Sequence, residues 1–117
     1  LQAANRAAAQ IEDISYGIQA RRAFLAALEG NQQAAREYGE MALADMPVDA
    51  MIEVGTRYQV ATALAIAGLI DEALEHLEIV RAQSGKADFA ITEIDPFLAP
   101  LQGLERFDRL FEVSGGP

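Results

Sequence analysis

YQVATALAIAGLIDEALEHLEIV, residues 58–80, reads as two helices folded back on each other at Gly68. In its first half Val60, Leu64 and Ala67 recur at helical spacing, with Ala61 and Ala65 beside them. In its second half Ala73, Leu74, Leu77 and Val80 do the same. Strand alternation fails in both halves, and alanine is a poor strand residue. Gly68 between them suits the left-handed position that ends a helix, because it has no Cβ to clash. Asp71 and Glu72 then fall in the first turn of the following helix, where negative charge complements the helix dipole. Leu64 and Leu77 are expected to be buried between the two helices, each contributing roughly 1.5–3 kcal/mol. The apolar run 60–70 is only about half the length needed to span a bilayer.

Upstream, the same plan repeats. LQAANRAAAQIE, residues 1–12, is rich in helix formers and places Leu1, Ala4, Ala8 and Ile11 along one face. A leading helix over 1–14 is expected, with Ser15 as a cap for the next helix, 16–29. Gly30 ends that helix, and Asn31 then caps a helix over 32–45. Pro47 stops it, since proline disfavours helix in the residue before it. Asp49 caps a long helix over 50–67, and the helix after Gly68 runs over 70–83 to Ser84-Gly85. Downstream the pattern shortens. A brief helix over 86–93 is expected, with Phe89 and Ile91 partly buried. Asp95-Pro96 is a helix-start signal, a cap followed by proline at the first helical position, and leaves one turn over 96–101 before Gly103. Residues 104–112 form a last short amphipathic helix through Leu104, Phe107, Leu110 and Phe111, and Ser114–Pro117 is a loose tail. The expected organisation is one domain over 1–117: a leading helix 1–14, helical units 16–47 and 50–85, and short capping helices over 86–113.

Composition narrows the function classes. About half of the 117 residues are hydrophobic, too many for a disordered chain. Alanine makes up about a fifth and tryptophan is absent, which favours closely approaching helices over a sandwich or barrel. There is no cysteine, so disulfides and thiolate metal sites are excluded. The net charge of −9 argues against nucleic acid and anionic membrane surfaces, which need basic patches. No signal peptide or transmembrane span is visible, and a cytoplasmic location is the expectation. The chain starts at Leu1 within a helical pattern, which reads as a fragment or processed product.

Two segments align without gaps: Gly30, Ala35, Ala42 and Pro47 match Gly68, Ala73, Val80 and Gly85, and Ala23 matches Ala61. Small residues at fixed offsets let two antiparallel helices approach, and a turn residue closes each unit. Such a unit cannot bury its apolar face alone, so units stack. On these residues the chain resembles the tetratricopeptide repeat family, whose helix–turn–helix units run to about 34 residues. In the second unit Val60, Ala61, Leu64, Gly68, Ala73, Leu77 and Val80 fit the family pattern. In the first, Ala23, Gly30, Ala35, Ala42 and Pro47 fit, whereas Arg22 and Gly39 stand where the family usually places large apolar groups. Ala26 replaces an expected larger residue. The ending Asp95–Leu101 followed by Arg106-Phe107 resembles a terminator that follows such repeats in bacterial multidomain regulators and signalling enzymes. The resemblance implies an all-α fold: antiparallel helix–turn–helix repeats stacked as a short right-handed superhelix.

It also implies a site. In this family the first helices of the units line a concave groove for extended or helical peptides. Here those positions are Gly17, Ala20, Arg21, Phe24 and Ala27 in the first unit, and Gly55, Tyr58, Gln59, Thr62 and Ala65 in the second. The alternative is that Phe24 and Tyr58 are covered by the protein's own ends. The basic-and-amide clamp that some members use for C-terminal carboxylates is absent, with Ala20, Phe24, Tyr58 and Thr62 at the relevant positions. An apolar or helical ligand is therefore expected rather than an acidic C-terminus.

Catalytic chemistry is hard to find. No serine stands with a poised base, and there is no thiol or glycine-rich phosphate loop. His76 is the only histidine; Glu72 lies one turn away, but no second ligand cluster accompanies them, and a solvated face beside Asp71, Glu75 and Glu78 is the expectation. The chain is expected to be no enzyme and to need no cofactor or metal. Its expected role is a protein–protein interaction module whose partner is a peptide, a neighbouring domain or a second copy. The alternative is a homo-oligomerisation or structural domain of a larger bacterial regulator or signalling enzyme.

Overall fold

In the computed structural model, residues 15–84 and 95–111 are described. The expected helices over 1–14 and 86–93 and the tail from Ser114 lie outside the described residues. The chain is an all-α helical repeat. Helix α1 (Ser15–Leu28) and helix α2 (Gln32–Asp45) form one antiparallel hairpin. Helix α3 (Ala50–Ile66) and helix α4 (Ile70–Ser84) form the second. A six-residue 3-10 helix, Pro96–Leu101, and a short helix, Glu105–Asp108, prolonged by a 3-10 turn over Arg109–Phe111, close the end. No strand occurs among the described residues.

Local chemistry sets the boundaries. Gly30 and Gly68 have φ of 79° and 86°, the left-handed region. Each closes a helix with paired bonds: Asn31 N–H to Ala26 O at 2.9 Å with Gly30 N–H to Ala27 O at 3.0 Å, and Leu69 N–H to Leu64 O at 2.9 Å with Gly68 N–H to Ala65 O at 3.0 Å. The Asn31 side chain accepts from Ala34 N–H, and Asp49 accepts from Met51 and Ile52 N–H, so both residues cap as expected. Ser15 does not cap: it is already helical. The expected continuous helix over 104–112 is instead one α turn followed by a 3-10 turn.

The hairpins stack through their first helices, α1 against α3, and through α2 against α3. At one end the interface is nearly all alanine: Ala23, Ala26, Ala27, Ala35, Ala63 and Ala67 form one buried cluster. Side chains of one carbon let helix axes close up. The larger cluster joins Val60, Leu64, Leu74, Leu77 and Val80 to Leu98, Leu101, Phe107 and Leu110 of the closing segment. Leu64 and Leu77 are buried, as expected. The two turns are tied together by Gln32, whose Nε2 donates to Ala67 O at 2.8 Å. Arg36 and Glu72 pair at 2.7 Å between α2 and α4, and Arg106 grips Glu78 with two bonds, at 3.0 and 2.8 Å.

Gly39 resolves one departure from the family pattern. A Cβ at this buried position would sit 2.9 Å from Val60 Cγ1, so α2 and α3 touch here backbone to side chain. The large side chain that the resemblance implies is supplied from across the interface by Val60. By contrast, a Cβ at Gly55 of α3 would meet nothing within 4 Å. Gly55→Ala is therefore expected to stabilise the fold by about 0.5–1 kcal/mol through helix propensity alone, read as a higher midpoint in urea. A lower midpoint would show that the open space around Gly55 is filled.

Candidate functional site

The site is built by α1 and α3 where they diverge from the alanine contact. Gly17, Ala20, Arg21 and Phe24 of α1 face Tyr58, Gln59 and Thr62 of α3 across a concavity of about 460 Å³. Seven of the ten groove positions expected from sequence thus line one hollow. The other three do not. Both alanines, Ala27 and Ala65, are buried in the helix packing, Ala27 in the alanine contact and Ala65 in the larger cluster with Val60 and Leu64. Gly55 is exposed and lies outside the hollow's lining.

Two further residues line the hollow, Asp95 and Phe97, whose signals in the sequence are those of a helix cap and a terminator. The Phe97 ring meets Phe24 edge-on, centroids 5.2 Å apart with planes at 90°, a favourable quadrupole arrangement. Asp95 works at both ends of its carboxylate. Oδ1 accepts from Phe97 N–H at 2.9 Å, capping the 3-10 helix, and Oδ2 accepts from the Tyr58 hydroxyl. The segment cannot shift freely, because Leu98 and Leu101 beside it are fully buried in the core. Phe24 and Tyr58 are therefore partly covered by the chain's own closing segment, while a hollow remains beside them.

The floor is small and largely apolar. Ala20 and Thr62 are buried, and the Thr62 hydroxyl donates to Gln59 O at 2.7 Å, so it presents its methyl side with its polar group satisfied within the helix. Aromatic and small residues with few polar groups are what small ligands and apolar side chains bind against.

His76 lies away from this hollow and is not on a solvated face. It is half-buried, and the Arg57 guanidinium donates to its Nδ1 at 3.0 Å. That geometry requires a neutral ring protonated at Nε2. Burial, then the Arg57 charge, hold its pKa below the ordinary value, while Glu75 and Glu72 oppose the shift weakly. Glu53, bonded to both Arg57 and Gln83, completes the surroundings. Among the described residues no cluster of three metal-ligating side chains occurs, and no helix is long and apolar enough to cross a membrane.

The Arg57–His76 contact has a pH consequence. The folded pKa lies below the unfolded value of about 6.5, so the unfolded chain binds more protons in that window. Stability is full above about 6.5 and is lost as pH falls through the lower folded pKa. Glu72 and Glu78 are also lowered, by hydrogen bonds from Arg36 and Arg106, and act in a separate window below the ordinary carboxylate value of 4.5. His76→Gln is expected to flatten the dependence of the melting temperature on pH just below about 6.5, leaving the acid limb below 4.5 intact. An unchanged slope in that upper window would remove His76 as its source.

No protein-family model, curated protein or solved structure matches the chain.

Proposed function

We propose that this chain is a non-catalytic, tetratricopeptide-like interaction module that holds a partner polypeptide in the hollow between α1 and α3. One observation carries the reading: first-helix residues of both hairpins, far apart in sequence, converge on one largely apolar concavity. The order of packing supports it too, each hairpin closed on itself and the first helices stacked side by side. Grooves of this kind take apolar anchors of a helix or an extended segment.

A groove-blocking variant tests it. Gly17 has open space around its Cβ position and lines the hollow, so Gly17→Arg is expected to be accommodated and to obstruct the hollow's mouth. Peptides selected from a displayed random library on the immobilised chain are expected to lose at least about ten-fold in affinity for Gly17→Arg, as when an anchor loses its pocket. Selected peptides that bind both forms equally would place recognition elsewhere.

Self-association is a second reading, favoured by Leu25 and Leu28, which are 48% and 59% exposed on one face of α1. Light scattering over a hundred-fold range of concentration separates the two. A second reading by self-association needs a mass that rises with concentration and returns to the monomer in Leu28→Lys.

A further inference from the structure

The chemistry of the hollow specifies its ligand further, given the reading that it holds a polypeptide. Arg21 lines it, is exposed, and makes no hydrogen bond or ion pair with any described residue. Every other described arginine has a partner. Four pair with glutamates, Arg81 donates to Leu110 O at 2.9 Å, and Arg22 lies over the Tyr38 ring at 6.0 Å. In a chain of net charge −9, the one described guanidinium left unpaired stands at the rim of the apolar hollow.

The acidic residue in the hollow's lining does not serve it. Asp95 lines the same hollow, yet its two oxygens are taken by Phe97 N–H and the Tyr58 hydroxyl. The way that segment sits is informative in itself. Asp95-Pro96-Phe97 places an aromatic ring against Phe24 and a carboxylate against Tyr58, so the groove already accommodates an acidic residue next to an aromatic one, supplied in cis. The hollow of about 460 Å³ that remains is large enough for another big side chain.

We infer that the partner is a polypeptide segment that seats one large apolar side chain beside Phe24, Tyr58 and Phe97 and pairs an adjacent side-chain carboxylate with Arg21. The carboxylate is internal to the segment, within about one helical turn of the apolar anchor, the reach set by i to i+4 spacing. The pair is charge-assisted, which favours Asp or Glu over Asn or Gln.

The test is a selection of random twelve-residue displayed peptides on the full chain, on Arg21→Gln and on Arg21→Lys. Winners on the wild type are expected to carry Phe, Leu or Trp with Asp or Glu within four positions. Selection on Arg21→Gln loses the acidic preference and keeps the apolar one, and Arg21→Lys largely restores it. For one synthesised winner, changing its acidic residue to the amide is expected to weaken binding about ten-fold to the wild type and less than about two-fold to Arg21→Gln, the scale of one charge-assisted bond. Raising the salt to about 0.5 M narrows the wild-type difference, since the pair is at an exposed rim. Apolar winners with no acidic preference, or a preference that survives Arg21→Gln, overturn the inference and leave the groove reading standing. No enrichment on any of the three forms overturns both.

Discussion

Phe107→Ala is expected to lower the free energy of unfolding by about 3–5 kcal/mol, the cost of deleting a fully buried aromatic ring that the surroundings cannot refill. Phe107 is 1% exposed and meets Phe111 edge-on at 5.1 Å. It belongs to the same buried cluster as Leu77, Val80, Leu98 and Leu101, so it joins the closing segment to the second hairpin. An isolated hairpin would leave those side chains in water, and the closing segment removes them from it. The loss is a large fraction of the roughly 5–15 kcal/mol available to a domain. Urea unfolding measures it through the midpoint at constant slope. A loss under about 1 kcal/mol would mean that the ring is not enclosed and that the closing segment does not cap the repeat. The variant should also weaken the groove, because Asp95 and Phe97 are held in place by the neighbouring Leu98 and Leu101.

Gly39→Leu, which installs the large apolar group that the family resemblance implies, is expected to destabilise by about 3 kcal/mol rather than to improve packing. Even the Cβ of an alanine would come within 2.9 Å of Val60 Cγ1. Val60 is β-branched and 2% exposed, so its side chain has little freedom to move aside. Overpacking here must therefore push α2 away from α3. The paired control is Gly55→Ala, where the same kind of change meets open space and stabilises. Opposite signs at the two glycines are the signature of the described crossing. Equal signs would contradict it, and differential scanning calorimetry on the two variants decides.

Much of the fold could be read from the chain because its determinants are local. Asn31, Asp49 and Asp95 cap through their own side chains to backbone two or three residues on, and Gly30 and Gly68 turn because a Cβ there would clash with the adjacent backbone. Helical spacing likewise marks Val60, Leu64, Leu77 and Val80 as inward-facing, and all four are buried. What escaped the reading is non-local. Nothing near His76 in sequence announces Arg57, nineteen positions away, and so spacing alone points to a solvated face. Gly39 reads as a packing defect until Val60 is seen to fill the space. Ala27 and Ala65 share a helical face with groove residues, yet the close approach permitted by their own small size seals them in. The hollow's far wall was the least legible part. Asp95 carries a strong local cap signal that accounts for it fully, and its second bond, to Tyr58 across 37 positions, leaves no trace in spacing or composition. The pairing of Phe24 with Phe97 is anticipated only coarsely, by the alternative that the chain's own ends cover Phe24 and Tyr58.

Amide chemical-shift mapping by NMR, with a selected peptide titrated into the isotope-labelled chain, bears most directly on the proposed groove. Perturbations are expected to concentrate at Gly17–Phe24, Tyr58–Thr62 and Phe97, with α2 and the outer face of α4 silent. Shifts confined to the exposed faces of α2 and α4, or centred on Leu25 and Leu28 without Tyr58, would contradict a docking site between the first helices.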